Sequence, residues 1–355
     1  MKVLELHILQ SFPVTCLNRD DVGAPKSAIF GGTSRARVSS QCWKRAIREK
    51  AKELDESHFS ANRTRYIVAR LQDALKKEEC AEDKCAQYAL LLADAIGKAD
   101  DKKEGAVKTL LFFSPNEFEA IAEAFLSIEN LGSLDEKQLK KAAEKARKKV
   151  KTNEKVKDAA DVSIFGRMVA DDHSLMMEGA GMFAHALSTH KVSTEIDFFS
   201  AVDDMAPEDS EGAGHIGTLE FNSACYYRYI ALNLDLLKDT NHLGHFSDEE
   251  FKVVLDAFIR ASILAVPGAR KNSMMGFNPP EYVLGTIREG QPISLANAFE
   301  TPVPAKGKGF VEPSIQALEE KVQWMEKTYG LNSIIKKIIP EVGINELCEE
   351  LVANV

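Results

Sequence analysis

Residues 31–50 read GGTSRARVSSQCWKRAIREK, and their second half predicts a helix that opens after Ser39 or Ser40, either of which can cap its orphan amides. At about 100° per residue, Gln41, Lys44, Arg45 and Arg48 share one arc of about 100°, whereas Cys42, Trp43, Ala46 and Ile47 fall on the other side. Such a helix can pack its apolar side on a sheet and present a cationic one. Upstream, Gly31 and Gly32 supply a backbone able to come close to phosphate, Arg35 and Arg37 add charge, and the amides at the helix start add donors. Between Leu17 and Lys50 the chain carries eight Lys/Arg (Arg19, Lys26, Arg35, Arg37, Lys44, Arg45, Arg48, Lys50) against three acids (Asp20, Asp21, Glu49), although its formal net charge is −9. A local surplus of this kind points either to an anionic partner held at one place or to the solvated face that any amphipathic helix has. The chain has neither a Walker A sequence nor a complete G-x-G-x-x-G, which argues against a nucleotide-binding loop.

On the N-terminal side of this stretch, VLELHIL (residues 3–9) is short and alternating and reads as a strand, followed by turn chemistry at Asn18, Gly23, Pro25, Gly31 and Gly32. On the C-terminal side, residues 58–160 read as helix after helix with no convincing strand. RYIVARLQDALKK places Ile67, Val68, Leu71, Ala74 and Leu75 on one stripe. SPNE at 114–117 and SLDE at 133–136 both have a capping-box layout. Beyond residue 160, β-leaning patterns return in GMFAHALSTHKV (181–192), LEFNSACYYRYIALNL (219–234) and EYVLGTIRE (281–289), with a helix at 247–266 capped by Ser247 and Glu250. The expectation is an α+β fold, an open sheet with helices on one face, carrying an inserted helical domain. DDMAPEDSEGAGHIG (203–217) is acidic and Gly-rich, hence a loop or hairpin tip.

A chain of 355 residues with 45% hydrophobic content can bury a sizeable core in roughly two compact units. No apolar run approaches the ~20 residues that cross a bilayer, and MKVLELHILQSFP lacks the apolar region of a signal peptide, so a cytoplasmic location is expected. Six cysteines are scattered as reduced thiols would be; Cys80 and Cys85 form one close pair without a second pair at zinc spacing. No metal or cofactor is expected.

Four further features carry two readings each. Residues 137–157 hold ten Lys/Arg and two Glu, either a solvated helix face or a contact to DNA phosphates through Lys140, Lys141, Lys145 and Lys148. YYRY (226–229) mixes aromatics with Arg as stacking platforms do, but an alternating core strand explains it more simply. His185 and His190 are five apart in a strand and point to opposite faces, and His242 and His245 have HxxH spacing with no acidic or cysteine ligand nearby. Asp20 and Asp21, beside the basic segment, either order a turn or act as acids in metal-dependent chemistry.

LNRDDVGAPKSAIFGGTSRARVSSQCWKRAIR (17–48) closely resembles the N-terminal signature of the CasC family, the repeated backbone subunit of the type I-E CRISPR surveillance complex, Cascade. The resemblance continues through SIFGRM (163–168), AHALSTHKV (184–192), IDFFSAVDD (196–204), FNSACYYRYIALNL (221–234), VPGARKNSMMGFNP (266–279), SLANAFETPV (294–303) and EPSIQAL (312–318). It implies an RRM-like (ferredoxin-like) palm with an inserted helical fingers domain and a β-hairpin thumb. Palm would comprise residues 1–57 and 161–355, fingers 58–160, and thumb 193–224.

Carried over residue by residue, the resemblance implies RNA-backbone contacts from Arg19, Lys26, Ser39, Ser40, Gln41, Lys44, Arg45 and Arg48. Met168 would lie beneath the RNA, and Phe199, Val202 and Ile216 would form the thumb wedge that displaces one base at intervals. The acidic thumb tip 206–213 departs from the family pattern. The implied partners are the guide crRNA, target DNA, further copies of the chain, and other Cascade subunits: the large subunit, the small subunit, the 5′-handle-capping subunit and the crRNA-processing endoribonuclease. The implied role is antiviral and non-enzymatic. The contrasting reading, a metal-dependent ribonuclease using Asp20 or Asp21, follows from distant type III relatives that cut RNA with an Asp in a comparable loop.

Overall fold

The computed structural model describes residues 1–355 except 153, 170–172, 202–204, 206–214, 271, 306 and 308. In chain order it forms β1 (Lys2–Thr15), β2 (Ser27–Phe30), β3 (Thr33–Val38), α1 (Ser40–Leu54), β4 (Asn62–Thr64), α2 (Val68–Lys77), α3 (Glu82–Gly97), β5 (Leu111–Phe113), α4 (Pro115–Leu126), α5 (Glu136–Ala146), α6 (Ala160–Phe165), β6 (Gly181–Phe183), β7 (Ala186–Ser188), β8 (Glu195–Ala201), β9 (His215–Asn233), α7 (Leu234–Leu237), α8 (Asp248–Leu264), β10 (Tyr282–Glu289), α9 (Val311–Tyr329), β11 (Ile335–Ile339) and α10 (Ile344–Ala353). Two compact units divide the chain: Met1–Lys50 with Phe183–Ala231 and Phe258–Val355, and Ala51–Met182 with Leu232–Ala257. Among the described residues, no helix is long and apolar enough to cross a membrane.

The first unit is built on a sheet in the order β11-β10-β1-β9-β7-β3-β2, with β6 and β8 also pairing to β9. β1 lies antiparallel to β10, from Lys2 opposite Glu289 to Leu9 opposite Tyr282. Its amphipathic alternation does not leave a wet face. Val3 to Gln10 are all buried, because β1 is an inner strand, and its polar side chains are satisfied internally. Glu5 pairs with Arg288 and accepts from the Tyr229 hydroxyl (2.5 Å) and the Ile293 amide (2.8 Å). His7 Nδ1 meets the Tyr227 hydroxyl at 2.9 Å. That hydroxyl also accepts from the Leu295 amide (2.9 Å). Burial lowers the His7 pKa to about 4, so the ring is neutral at neutral pH.

The expected turn region before the helix contains a hairpin, β2 with β3, closed by Gly31 and Gly32 at φ +57° and +72°. Gly31 is required by close packing, since a Cβ there would stand 1.7 Å from the Glu300 carbonyl oxygen.

The second unit packs α2, α3, α4 and α5 around Leu71, Leu75, Leu92, Ile121, Phe125 and Ala143. α4 starts as its sequence predicts, with Ser114 and Glu117 capping reciprocally. α5 does not: its cap is Asp135 with Gln138, two residues beyond the SLDE reading, because Leu131–Ser133 is occupied by a 3-10 turn. A two-stranded sheet, β4 with β5, lies where no strand was expected; three residues are too few to show a period. α8 keeps its Ser247/Glu250 box, and the Glu250 carboxyl is held down at about 2 by Lys157 and the Ser247 amide.

Candidate nucleic-acid interface

α1 begins where Ser39 Oγ accepts from the Cys42 amide (3.3 Å), making Ser39 the cap. Trp43, Ala46, Ile47 and Ala51 are buried, whereas Gln41 and Arg45 are exposed and Lys44 and Arg48 half-buried. The buried side is anchored by Arg228 of β9, whose guanidinium lies 3.7 Å from the centroid of the Trp43 ring. Arg228 donates to Gln10 Oε1 and the Ser262 carbonyl, each at 2.6 Å, and desolvation lowers its pKa to about 9. On the outer side Arg45 meets Glu49 at 2.8 Å, an exposed i,i+4 pair worth about 0.3–0.5 kcal/mol that leaves the guanidinium recruitable. Lys44 Nζ lies 5.1 Å from the centroid of the Phe183 ring.

The loop before the hairpin is folded onto the first turn of α1, and Asn18 ties it there. Asn18 Oδ1 accepts from the Ser39 amide (2.9 Å), and its carbonyl accepts from the Lys26 amide (2.9 Å). Asp20 Oδ1 accepts from the Val22 and Ala24 amides at 3.0 and 2.9 Å, rigidifying the turn. The outcome is one concave surface lined by Leu17–Gly23, Cys42, Arg45, Ala46, Glu49 and Pro267–Ala269. Charges of both signs act on it: burial raises the Cys42 thiol pKa, Lys26 and Arg45 pull it down and Glu49 pushes it up, while Cys16 is raised by burial, lowered by Arg19 and Arg270, and raised by Asp20 and Glu220.

Sequence reasoning therefore names Arg19, Lys26, Ser39, Ser40, Gln41, Lys44, Arg45 and Arg48, and these belong to one loop and the helix it is tied to. It misses Asn18, which carries no charge, and Arg270, signalled only by the Arg-Lys pair after VPG. It also misses His185, whose Nδ1 accepts from the Ser40 amide (3.1 Å).

Arg35 is a correction. It is fully buried, and donates to Thr33 Oγ1 (2.9 Å) and to the carbonyls of Ser188 (2.9 Å), Phe299 (2.8 Å) and Glu300 (3.1 Å). Its charge holds the hairpin to the sheet and is not available to phosphate, and Gly31 packs on Glu300 rather than on an anion.

Elsewhere, Met168 is 80% exposed in the second unit, beside a concavity lined by Arg63, Leu110, Phe165, Met176 and Met177. Phe199 lies in the β8–β9 hairpin opposite Gly217, where its ring fills the space a Cβ would need. Val202, the acidic tip at 206–213 and the side chain of Ile216 lie outside the described residues. Ile196 and Phe198, two-thirds exposed, alternate with Phe199 and so occupy the opposite face of the hairpin.

Lys140, Lys141, Lys145 and Lys148 are exposed, with Lys140 paired to Glu136 at 2.7 Å. The basic helix ends at Ala146 rather than continuing to 157, and Lys148 sits in the 3-10 turn that follows. Lys155 and Lys157 are bound to Glu123 and Glu250, each at 2.6 Å, and belong to no free cationic face. YYRY is core: Tyr226, Tyr227, Arg228 and Tyr229 are all buried. His242 and His245 donate through Nε2 to the backbone carbonyls of Glu178 (2.8 Å) and Val156 (2.9 Å).

Residues 4–349 match the family model described as "CT1975-like protein". A chain of a "CRISPR RNA-guided surveillance complex, pre-nicking" has the same fold, with a TM-score of 0.80, 26% identity and 99% of each chain covered. A chain of a "CRISPR RNA-guided surveillance complex" shares it with a TM-score of 0.63 at 23% identity, again over 99% of each chain. No curated protein matches the chain.

Proposed function

We propose a function from one premise: the chain belongs to the CT1975-like protein family. It is the crRNA-binding backbone subunit of a type I-E CRISPR surveillance complex, and it is not an enzyme. Support comes from the likeness to a surveillance-complex chain over 99% of both lengths. The observation that carries the RNA-binding role is the Asn18-tied loop, which brings Arg19 and Lys26 to the cationic face of α1.

The grip is sequence-independent. Arg19, Lys26, Lys44, Arg45 and Arg48 neutralise phosphates, with Ser40 and Gln41 as neutral donors and Ser39, buried as the cap of α1, holding the turn that carries them, so a guide of any sequence is held by its backbone. Residues 1–57 and 161–355 act as an RRM-like palm, the helical segment 58–160 as fingers, and the β8–β9 hairpin as a thumb. Phe199, with Val202 and Ile216, displaces one base at intervals, Met168 lies beneath the RNA, and the bases between are presented to target DNA. Copies associate head to tail, the heterologous arrangement that grows an open helical filament. The large, small, 5′-handle-capping and crRNA-processing subunits complete the assembly.

Asp20 is engaged in its own turn, which favours an ordering role over the ribonuclease reading. The test is to purify the protein with a guide RNA and treat it with ribonuclease. A large, RNA-containing species that shrinks on digestion is expected. A size unaffected by ribonuclease, or metal-dependent shortening of the bound RNA abolished by Asp20→Ala or Asp21→Ala, would overturn the proposal.

A further inference from the structure

α3 starts poorly by the usual rules, since its cap position is Ala81, which has no side chain to accept from the first-turn amides. What holds the start is the pair of residues flanking it. Cys80 directly precedes the cap and Cys85 is the fourth residue of the helix, the two positions that form a hydrophobic staple. Cys85 is fully buried and its thiol donates to the Cys80 carbonyl (3.4 Å), while Cys80 is half-buried and its thiol donates to the Ala81 carbonyl (3.7 Å), so both sulfurs lie at the first turn of α3. The turn between α2 and α3 fixes Cys80 in place, with Glu79 at φ +58° and the Cys80 amide bonded to the Leu75 carbonyl (3.1 Å).

We propose that Cys80 and Cys85 are a reversible modification site, a dithiol whose oxidation by a low-molecular-weight disulfide turns the staple at the start of α3 into a covalent one. The half-buried Cys80 reacts first: its thiolate attacks a sulfur of the small disulfide, forming a mixed disulfide and releasing one small thiol. Cys85, losing its proton, then displaces the second small thiol and closes the Cys80–Cys85 bond. The protein pair gives up two electrons and two protons, and the small disulfide takes them as two thiols. The loop closed has four intervening residues, so the unfolded chain loses little entropy and the effect is local, on fraying of α3, rather than on global stability.

Burial chiefly, and then the neighbouring Cys85 side chain, raises the Cys80 thiol to about 12, so Cys80 is protonated at neutral pH. Bond formation therefore accelerates about tenfold per pH unit between pH 7 and 9, a dependence that mere packing would not produce.

The experiment is to incubate the full-length protein with glutathione disulfide at pH 8.5 and digest it with trypsin. Trypsin cuts after Lys77, Lys84 and Lys98, so residues 78–84 and 85–98 separate when reduced and remain joined when Cys80 is bonded to Cys85. Joined peptides, separated by dithiothreitol and absent in Cys80→Ser, are expected, with a glutathione adduct at Cys80 in Cys85→Ser. A wild-type protein that yields only the glutathione adduct, or neither product at either cysteine, would overturn the proposal. Cys80→Ser, at the half-buried position, keeps the test valid if Cys85→Ser fails to fold.

Discussion

The Arg228 guanidinium stacks on the Trp43 ring at 3.7 Å, joining β9 to the buried side of α1. The pair decides which way the helix faces: with Trp43 seated on Arg228, Gln41, Lys44, Arg45 and Arg48 must occupy the outer arc. Trp43→Ala leaves a cavity and strips the buried guanidinium of its ring, at a cost of about 3–5 kcal/mol. Denaturant unfolding should show that loss, with Lys44→Ala within about 0.5 kcal/mol of wild type.

Asn18 separates position from charge. Asn18→Ala removes the acceptor for the Ser39 amide and frees the loop that carries Arg19 and Lys26. RNA affinity measured by filter binding should fall several-fold, while its salt dependence stays that of wild type because no cation has been removed.

The cationic surface of α5 is tested separately. Reversing Lys140, Lys141, Lys145 and Lys148 to Glu should weaken capture of target DNA by an assembled, RNA-loaded complex and spare retention of the guide. DNA capture equal to wild type in a mobility-shift assay would assign these lysines to a solvated face.

His7 makes stability depend on pH in a defined window. Its native pKa is lowered to about 4 from an ordinary 6.5, chiefly by burial, with Glu5 opposing and Arg288 assisting. The unfolded chain therefore binds the extra proton first. The His7 contribution is complete above pH 6.5 and is lost as pH falls from 6.5 toward 4, by up to about 3 kcal/mol. Glu5, Arg288, Tyr227 and Tyr229 are the titratable groups around the ring. Urea unfolding at pH 4.5, 5.5 and 6.5 should show a smaller acid loss in His7→Gln than in wild type.

Much of the candidate surface around α1 was legible because it is local. The polar arc of α1, its serine cap and the charge surplus are all set within about four turns of one helix and the loop beside it. What misled was charge without context. Arg35 counts toward the surplus, yet three backbone carbonyls distant in sequence, from Ser188, Phe299 and Glu300, claim it for the interior. The 137–157 run was read as one cationic helix, whereas Lys155 and Lys157 are claimed by Glu123 and Glu250. β4 and β5 are paired across nearly fifty residues with three residues each, too little pattern to read. The partners that bury the two polar positions of β1, Glu5 and His7, lie on β9 and β10, more than two hundred residues away, where no local pattern signals them.

The most direct measurement is the salt dependence of single-stranded RNA binding by wild type and by Lys44→Ala/Arg45→Ala/Arg48→Ala, with the fold of the variant checked by circular dichroism. If about four cations per copy meet phosphates, log affinity falls by roughly 3 per decade of salt, and the triple variant should bind far more weakly with a slope shallower by about 2. Equal affinity and equal slope in a folded variant would contradict the account, leaving the outer face of α1 as solvated surface and placing the RNA elsewhere.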